Sequence, residues 1–357
     1  MRIYFVTDAG WRGQSSIYKD REFFLLWSYF SVKQAGGKRG GELLRNQIET
    51  NSKTKLFLDS GAFSAWTQGI EINIQEYIDF IKEYQDTLEL YANLDIIPKG
   101  NSVKDKREAA QKTLENQYIM EQAGLSPLPV FHVGEPIEYL EHYVKNYDYI
   151  ALGGMVGKPK NVLVSWLNNC FGNYICDDKG LPKVKIHGFG LTSFPLMLNY
   201  PFYSVDNTEW VKVSRMGAIY VPRYRNGKWI YNEKPWRINV SNRNPSRKEA
   251  GKHIDTLSPR QREIILDYIH IKGYKLGKSS FKKVPSDYEL LENERWVERK
   301  PKNTTDYRLV EVIEEEGLCN QYQLRDEMYT ICLKDFEQSM PEWPWPFKPA
   351  KLRGLSI

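Results

Sequence analysis

Residues 56–68 read LFLDSGAFSAWTQ. The apolar run Leu56-Phe57-Leu58 carries the chain to Asp59, and Ser60-Gly61-Ala62 follow at once. A strand that only had to pack would continue in Val or Ile, or stop at a surface turn. Here a carboxylate stands where a buried strand emerges, and small neighbours leave room above it. Taken alone, the stretch has two readings: Asp59 caps the next helix, or the strand delivers it to a site.

Working outward, the same kind of ending recurs. Strand-like runs are RIYFVT (2–7), KLFLDS (55–60), ELYANLDII (89–97), LPVFHVG (128–134), YIALGG (149–154), VKIHGFG (184–190), FYSVDN (202–207) and AIYVP (218–222). Between them lie stretches with helical spacing, NIQEYIDFIKEYQ (73–85), KDKREAAQKTLENQYIMEQAG (104–124) and IEYLEHYVKN (137–146). Eight strands alternating with helices predict an α/β fold, a (β/α)8 TIM barrel over residues 1–222. A doubly wound open sheet is the competitor, but no GxGxxG loop follows the first strand. In a barrel the strand ends share one mouth. Asp59-Ser60-Gly61, Asp95, His132, Gly153-Gly154, His187-Gly188 and Asp206-Asn207 all fall there. Six such endings in register are hard to attribute to helix capping alone. Carboxylates held together there acquire separated pKa values, as acid–base and nucleophilic work at a sugar carbon requires.

The chain of 357 residues has room for one large α/β domain and an appendage, or for two domains. Its hydrophobic share of 41% and charged share of 27% are those of a soluble protein. No apolar run is long enough to span a bilayer, and MRIYFVTDAG opens on a strand rather than a signal peptide. Cys170, Cys176, Cys319 and Cys332 are scattered with no CxxC pair, so no zinc ribbon or disulfide framework is suggested. The cytoplasm is the expected compartment (the host's, if the gene is a phage's). His132, His187 and an Asp form the one metal-ligand alternative, but neither HxH nor HExxH occurs. The sequence therefore predicts no metal and no cofactor.

Charge is unevenly spread. The net charge is +5, yet residues 221–302 hold 20 Lys and Arg against 10 Asp and Glu, leaving the rest of the chain at −5. An acidic body with a basic appendage predicts a polyanion partner, against the alternative of a solvated Lys-rich face. Residues 223–357 are read as a basic extension with a last barrel helix near 303–338. Arg223, Arg225, Arg243, Arg247 and Lys248 are its nucleic-acid candidates.

Taken together, LDSGAFS, NLDIIP, VFHVGEP, IALGGMVG, IHGFG and YSVDNTEW resemble the tRNA-guanine transglycosylase family. They are most similar to its DNA-modifying branch, the bacterial and phage 7-deazaguanine DNA transglycosylases. The resemblance covers roughly residues 54–215 and rests on the order and spacing of the six stretches. It implies a barrel that exchanges guanine in a nucleic acid for a 7-deazaguanine base through a covalent glycosyl-aspartate. Asp206 matches the nucleophile and Asp59 the general acid/base. Asp95 matches the carboxylate that reads the purine amidine edge, Phe63 an aromatic stacked on the base, and Gly153 and Gly154 the amides at the purine carbonyl. The sequence departs from the tRNA enzymes at His132, where they carry Gln, and at His187, where they carry Met against the base. Both histidines are base-contact candidates. The family's zinc motif of three Cys and a His is missing, which puts tRNA recognition and the usual dimer in doubt. DNA is the expected partner and a 7-deazaguanine base the small-molecule substrate, with no membrane association. The alternatives are a tRNA enzyme, a non-catalytic nucleic-acid-binding barrel and a metal-dependent hydrolase. Against the binding module, buried like charges cost stability that binding alone does not require.

Overall fold

The computed structural model describes residues 1–7, 22–207, 209–298 and 307–349. The chain divides into two compact units, Met1–Thr208 with Met340–Ile357, and Glu209–Ser339.

The first unit is a single eight-stranded parallel sheet alternating with helices. Its strands are β1 (Arg2–Val6), β2 (Phe23–Ser28), β3 (Thr54–Asp59), β4 (Leu88–Tyr91), β5 (Val130–His132), β6 (Tyr149–Gly153), β7 (Lys185–Gly188) and β8 (Ser204–Asn207). They lie in the order β4-β3-β2-β1-β8-β7-β6-β5, every neighbouring pair parallel. The sheet curls. Tyr4, Phe24, Phe57, Val130 and Ala151 form one buried cluster, which brings β3 against β5 and β6 at the opposite end of the strand order. The two edges meet at one parallel bridge, Ala92–Leu128, where Leu128 N–H donates to Tyr91 O (2.8 Å) and Asn93 N–H to Leu128 O (2.9 Å). This is a barrel-like half-barrel, short of the continuous ladder that closes a (β/α)8 barrel.

β2 and β6 are buried on both faces, as helix-covered parallel strands are, so they read as apolar runs rather than alternation, whereas the edge strand β4 is not buried at any position. Phe23–Trp27 is buried at every position. The helices are α1 (Tyr29–Gln34), α2 (Lys38–Thr50), α3 (Ala62–Thr67), α4 (Ile74–Tyr84), α5 (Val103–Gln122), α6 (Ile137–Asn146), α7 (Lys160–Asn169, continued by a π-helical turn Cys170–Ile175) and α8 (Phe194–Asn199). In α4 the residues Tyr77, Ile78, Ile81 and Tyr84 repeat at helical spacing and are the buried face. Asn73 caps its start, and Ser102 with Asp105 forms a capping box on α5. The three helical stretches expected from spacing are α4, α5 and α6.

Two strand expectations are corrected. The sheet contains FFLLWS (23–28), which sequence reading passed over, because it runs into α1 as one apolar stretch with no Gly, Pro or Asn between strand and helix. AIYVP is a strand, but it pairs antiparallel with Trp236–Asn239 and takes no place in the parallel sheet. A strand pattern carries no record of its partner. The division into units accordingly falls at Thr208 rather than 222.

In the second unit α9 (Glu209–Arg215) precedes β9 (Ala218–Val221), β10 (Arg223–Arg225), β11 (Lys228–Ile230), β12 (Trp236–Asn239) and α10 (Pro259–Ile271). Then come β13 (Lys278–Pro285), β14 (Glu294–Trp296), β15 (Tyr307–Glu315) and α11 (Tyr322–Ser339). The β10–β11 hairpin turns on Asn226-Gly227, both at positive φ, as a two-residue primed turn demands. β13, β15 and β14 form an antiparallel sheet. This unit has its own core of Ile219, Val221, Ile238, Ile265, Tyr268 and Met328 with their neighbours. The last barrel helix expected near 303–338 is corrected: residues 303–306 lie outside the described residues, Tyr307–Glu315 is the strand β15, and the helix α11 covers only Tyr322–Ser339 and belongs to this second unit. After α11 the chain returns to the first unit: Trp343 Nε1–H donates to Pro201 O (3.0 Å), and Phe347 N–H to Gly180 O (2.7 Å). Among the described residues no helix is long and apolar enough to cross a membrane.

Candidate active site

Parallel pairing puts the C-terminal ends of all eight strands on one side of the first unit, so the residues that end them gather there. Asp59 ends β3, and Gly61 N–H donates to its Oδ2 (3.1 Å). The turn beyond requires glycine: Gly61 has φ +76°, and a Cβ there would lie 2.2 Å from Ser28 Oγ. The small residues after Asp59 are thus a packing demand of β2 as well as an opening above the carboxylate.

Asp95 sits on the loop after β4, and α5 pins that loop. Asn93 Nδ2–H donates to Thr113 O (2.8 Å), Ile96 N–H to Thr113 Oγ1 (2.9 Å) and Asn116 Nδ2–H to Leu94 O (2.8 Å). The Asp95 carboxylate accepts from Ser60 Oγ–H on Oδ1 (2.8 Å) and meets His132 Nε2 on Oδ2 (3.0 Å). The other His132 nitrogen, Nδ1, meets Glu135 Oε1 (3.0 Å), while the His132 amide donates to Glu135 Oε2 (2.9 Å). One imidazole is therefore clamped between two carboxylates. Burial alone would discharge it, but the Glu135 charge and the hydrogen bonds to Asp95 and Glu135 push its pKa up to about 10. Burial likewise opposes the Asp95 charge, yet the His132 hydrogen bond and charge hold Asp95 below the usual carboxylate range.

Gly153 and Gly154, at the end of β6, pack against this ring. A Cβ on Gly153 would stand 2.8 Å from His132 Cδ2, and Gly154 has φ +70°. Gly153 O accepts from Val133 N–H (3.2 Å), locking the β5 and β6 ends together.

Asp206, on β8, is buried, and its Oδ1 accepts from Gly190 N–H (2.6 Å). Beside it lies His187, fully buried between Phe57 and Phe189 with ring centroids at 4.9 and 4.5 Å. His187 Nδ1 bonds Ser204 Oγ (2.6 Å), which bonds Tyr149 OH (2.5 Å). His187 Nε2 faces Asp206 Oδ1 at 3.4 Å, at the long edge of hydrogen-bond range. Burial keeps this imidazole neutral, its pKa below the ordinary value despite Asp206.

Asp59 carries the imprint of the whole cluster. Burial first, then the negative charges of Asp95 and Asp206, raise its pKa to about 7 against the opposing N–H groups of Gly61 and Ser60. On α3, the helix that follows Asp59, Phe63 and Trp66 lie one helical turn apart, stack at 6.1 Å and are 57% and 49% exposed. Two such rings left in water beside buried carboxylates offer a platform for a flat ligand.

The structure brings Asp59, Asp95, His132, Gly153, Gly154, His187 and Asp206 to the strand ends of one unit, with Phe63 on the helix that leaves Asp59. Sequence reading missed Glu135, Ser204, Tyr149, Gly190 and Trp66, and placed Ser60 at the mouth without a role. Glu135 was visible within VFHVGEP; the others contribute through positions that only the fold brings near. Among the described residues no group of three or more His, Cys, Asp or Glu side chains is arranged to hold a metal ion.

The basic candidates belong to the second unit and are mostly paired within it. Arg223 Nε–H donates to Lys234 O (2.9 Å) and its guanidinium stacks on Trp236 (5.1 Å). Arg225 pairs with Glu233 (2.9 Å), Arg247 with Asp255 (2.9 Å) and Arg243 with the fully buried Glu311 (3.0 Å). Lys248 is exposed. No family model and no curated protein matches this sequence.

Proposed function

We propose that the chain is a transglycosylase that exchanges guanine in DNA for a 7-deazaguanine base, using Asp206 as nucleophile and Asp59 as general acid and base. The observation that carries this reading is the pair of carboxylates in unlike environments: Asp59 raised to about 7 and Asp206 beside a neutral imidazole. A proton carrier poised at working pH next to an anion fits displacement at an anomeric carbon.

In the proposed reaction the Asp206 carboxylate attacks C1′ of the target nucleotide. The C1′–N9 bond breaks, its electron pair leaves with guanine, and Asp59 supplies the proton. The 7-deazaguanine base then loses its N9 proton to Asp59 and attacks C1′, displacing the Asp206 carboxylate. His187, fully buried, acts as a positioning residue for Asp206, held by Ser204 and Tyr149. Asp95 reads the base. The His132 imidazolium keeps it ionised, and two of its lone pairs remain for the N–H groups of a purine amidine edge. His132 therefore acts on the base through Asp95, because both its nitrogens are engaged. Phe63 and Trp66 supply stacking, worth about 1–3 kcal/mol per base in single-strand binders. DNA is proposed over tRNA because the sequence lacks the Cys and His motif of the tRNA branch and carries a basic segment instead.

The test is nucleoside analysis of DNA and tRNA from cells that express the chain with a supply of 7-deazaguanine bases. Modified deoxynucleosides in DNA are expected. Modified tRNA with unmodified DNA would overturn the DNA assignment, and neither product would overturn the transglycosylase reading.

A further inference from the structure

The second unit contains a cleft of about 610 Å³, lined by Arg215, Arg237, Arg243, Arg295 and Arg325 with a single lining carboxylate, Glu249. Its volume falls in the range of ligand clefts, ~300–1,000 Å³. Five guanidinium groups around one hollow repel one another, and the carboxylates near them, Glu209, Asp326 and Glu311, offset them only in part. Glu249 is taken by Lys252. Glu311, fully buried, is shared: Arg243 and Arg295 both reach its Oε2, at 3.0 and 2.9 Å. Asp326, next in sequence to Arg325, is pushed up to about 6 by burial against the pull of Arg215 and Arg325, so near pH 7 it still offsets part of their charge.

Arg325 decides what the hollow is for. It is 5% exposed, and its guanidinium donates to two backbone carbonyls, Ser214 O (2.7 Å) and Leu318 O (2.6 Å). Among the described residues it has no carboxylate in ion-pair contact. Burial weakens its hold on the proton, lowering its pKa to about 10. A buried guanidinium with no carboxylate in contact is costly, and an anion entering the cleft would lower that cost. Guanidinium groups bind phosphate oxygens in bidentate fashion. Asn239, Asn244 and Ser241 add neutral polar groups to the wall, and the 43% exposed Tyr322 adds an aromatic ring at the rim.

We infer that this cleft is a phosphate-binding site for a nucleotide unit, seated on Arg325 and gripped by Arg215 and Arg237. The phosphate is either a phosphodiester of a nucleic-acid strand or that of a free nucleotide. Only the first source rests on the transglycosylase reading; phosphate binding does not.

The experiment uses the full chain and titrates three probes: inorganic phosphate, a 5′-mononucleotide and a single-stranded oligonucleotide. Arg215→Gln and Arg237→Gln, both exposed, are the primary variants, and Arg325→Lys tests the buried cation with its charge kept. Phosphate and the mononucleotide are expected to raise the melting temperature of the parent. Each exposed variant is expected to weaken mononucleotide binding about tenfold, and Arg325→Lys to do the same because a point charge cannot reproduce the fork. Oligonucleotide affinity falling in step identifies the strand as the source. Oligonucleotide affinity unchanged while mononucleotide binding falls identifies a free nucleotide. Mononucleotide affinity equal in the parent and all three folded variants overturns the site. Base exchange, assayed on the parent, separates failure of this inference from failure of the proposed reaction.

Discussion

At the strand ends of the first unit one imidazole, His132, stands between the carboxylates Asp95 and Glu135. In the second unit one carboxylate, Glu311, stands between the guanidinium groups Arg243 and Arg295. Each cluster has a shared counter-charge, and each leaves a surplus of one sign: Asp59 and Asp206 in the first, Arg325 and its exposed neighbours in the second. The difference lies in what can titrate. A crowded carboxylate relieves its burial by taking a proton, so the first cluster yields a group with a pKa of about 7. A guanidinium at pH 7 has no such escape and stays charged. The first cluster is therefore suited to moving protons and the second to holding an anion. Function in the first should follow pH, and binding in the second should follow salt.

The largest expected effect breaks the first cluster. Asp206→Asn keeps the shape but cannot form a glycosyl ester, and base exchange should fall about 10⁴-fold or more. Single-turnover assays on folded protein check it; an exchange rate within tenfold of the parent would remove Asp206 from the chemistry.

Asp59→Asn sharpens the contrast, because it should lower activity and raise stability together. The folded pKa of Asp59, about 7, lies above the ordinary aspartate value of 3.8. Over that window the folded state holds a proton that the unfolded chain has lost, so this group's contribution to stability falls as pH rises from about 4 to 7. Replacing it should stabilise the protein at pH 8 by about 2–4 kcal/mol and not at pH 4. The exchange step that needs protonated Asp59 should slow in the parent above pH 7. Denaturant melts of both proteins at the two pH values decide it, a parallel pH dependence contradicting the assignment.

Glu311→Gln probes the second cluster. With its only shared carboxylate gone, the pair Arg243 and Arg295 is left facing like charge, and the protein should lose on the order of 3 kcal/mol. The loss should shrink in added phosphate, which replaces the missing anion. A phosphate-independent loss would make Glu311 a purely internal strut.

The smallest effect is at the surface. Arg247→Ala with Lys248→Ala should flatten the slope of log K against log salt for oligonucleotide binding by about one to two units. Arg243 is excluded from this test because it holds Glu311, and its loss would report stability rather than phosphate contact. An unchanged slope would return both residues to the solvated face.

How much of this was legible beforehand follows from what each signal encodes. The endings on Asp59, His132 and Asp206 were visible because a polar residue closing an apolar run is a local pattern. FFLLWS was not, since nothing punctuates the passage from β2 into α1. Glu135 was overlooked because its role depends on a turn that folds it back on His132, although it lies three residues away. The arginine cleft draws on residues from 215 to 325, and only the fold of the second unit assembles them; the sequence showed a local excess of charge and placed it on Arg223, Arg225, Arg243, Arg247 and Lys248. There the structure pairs Arg243 and Arg247, and it buries Arg325 with no carboxylate in ion-pair contact among the described residues.

The central claim is the covalent step, and trapping tests it most directly. DNA is incubated with the parent, Asp206→Ala and Asp59→Asn, then each mixture is denatured and run on a gel, and any adduct is mapped by peptide mass analysis. The account predicts a DNA-linked band for the parent, attached at Asp206 and absent from Asp206→Ala. An adduct that persists in Asp206→Ala, or maps to another residue, would contradict it.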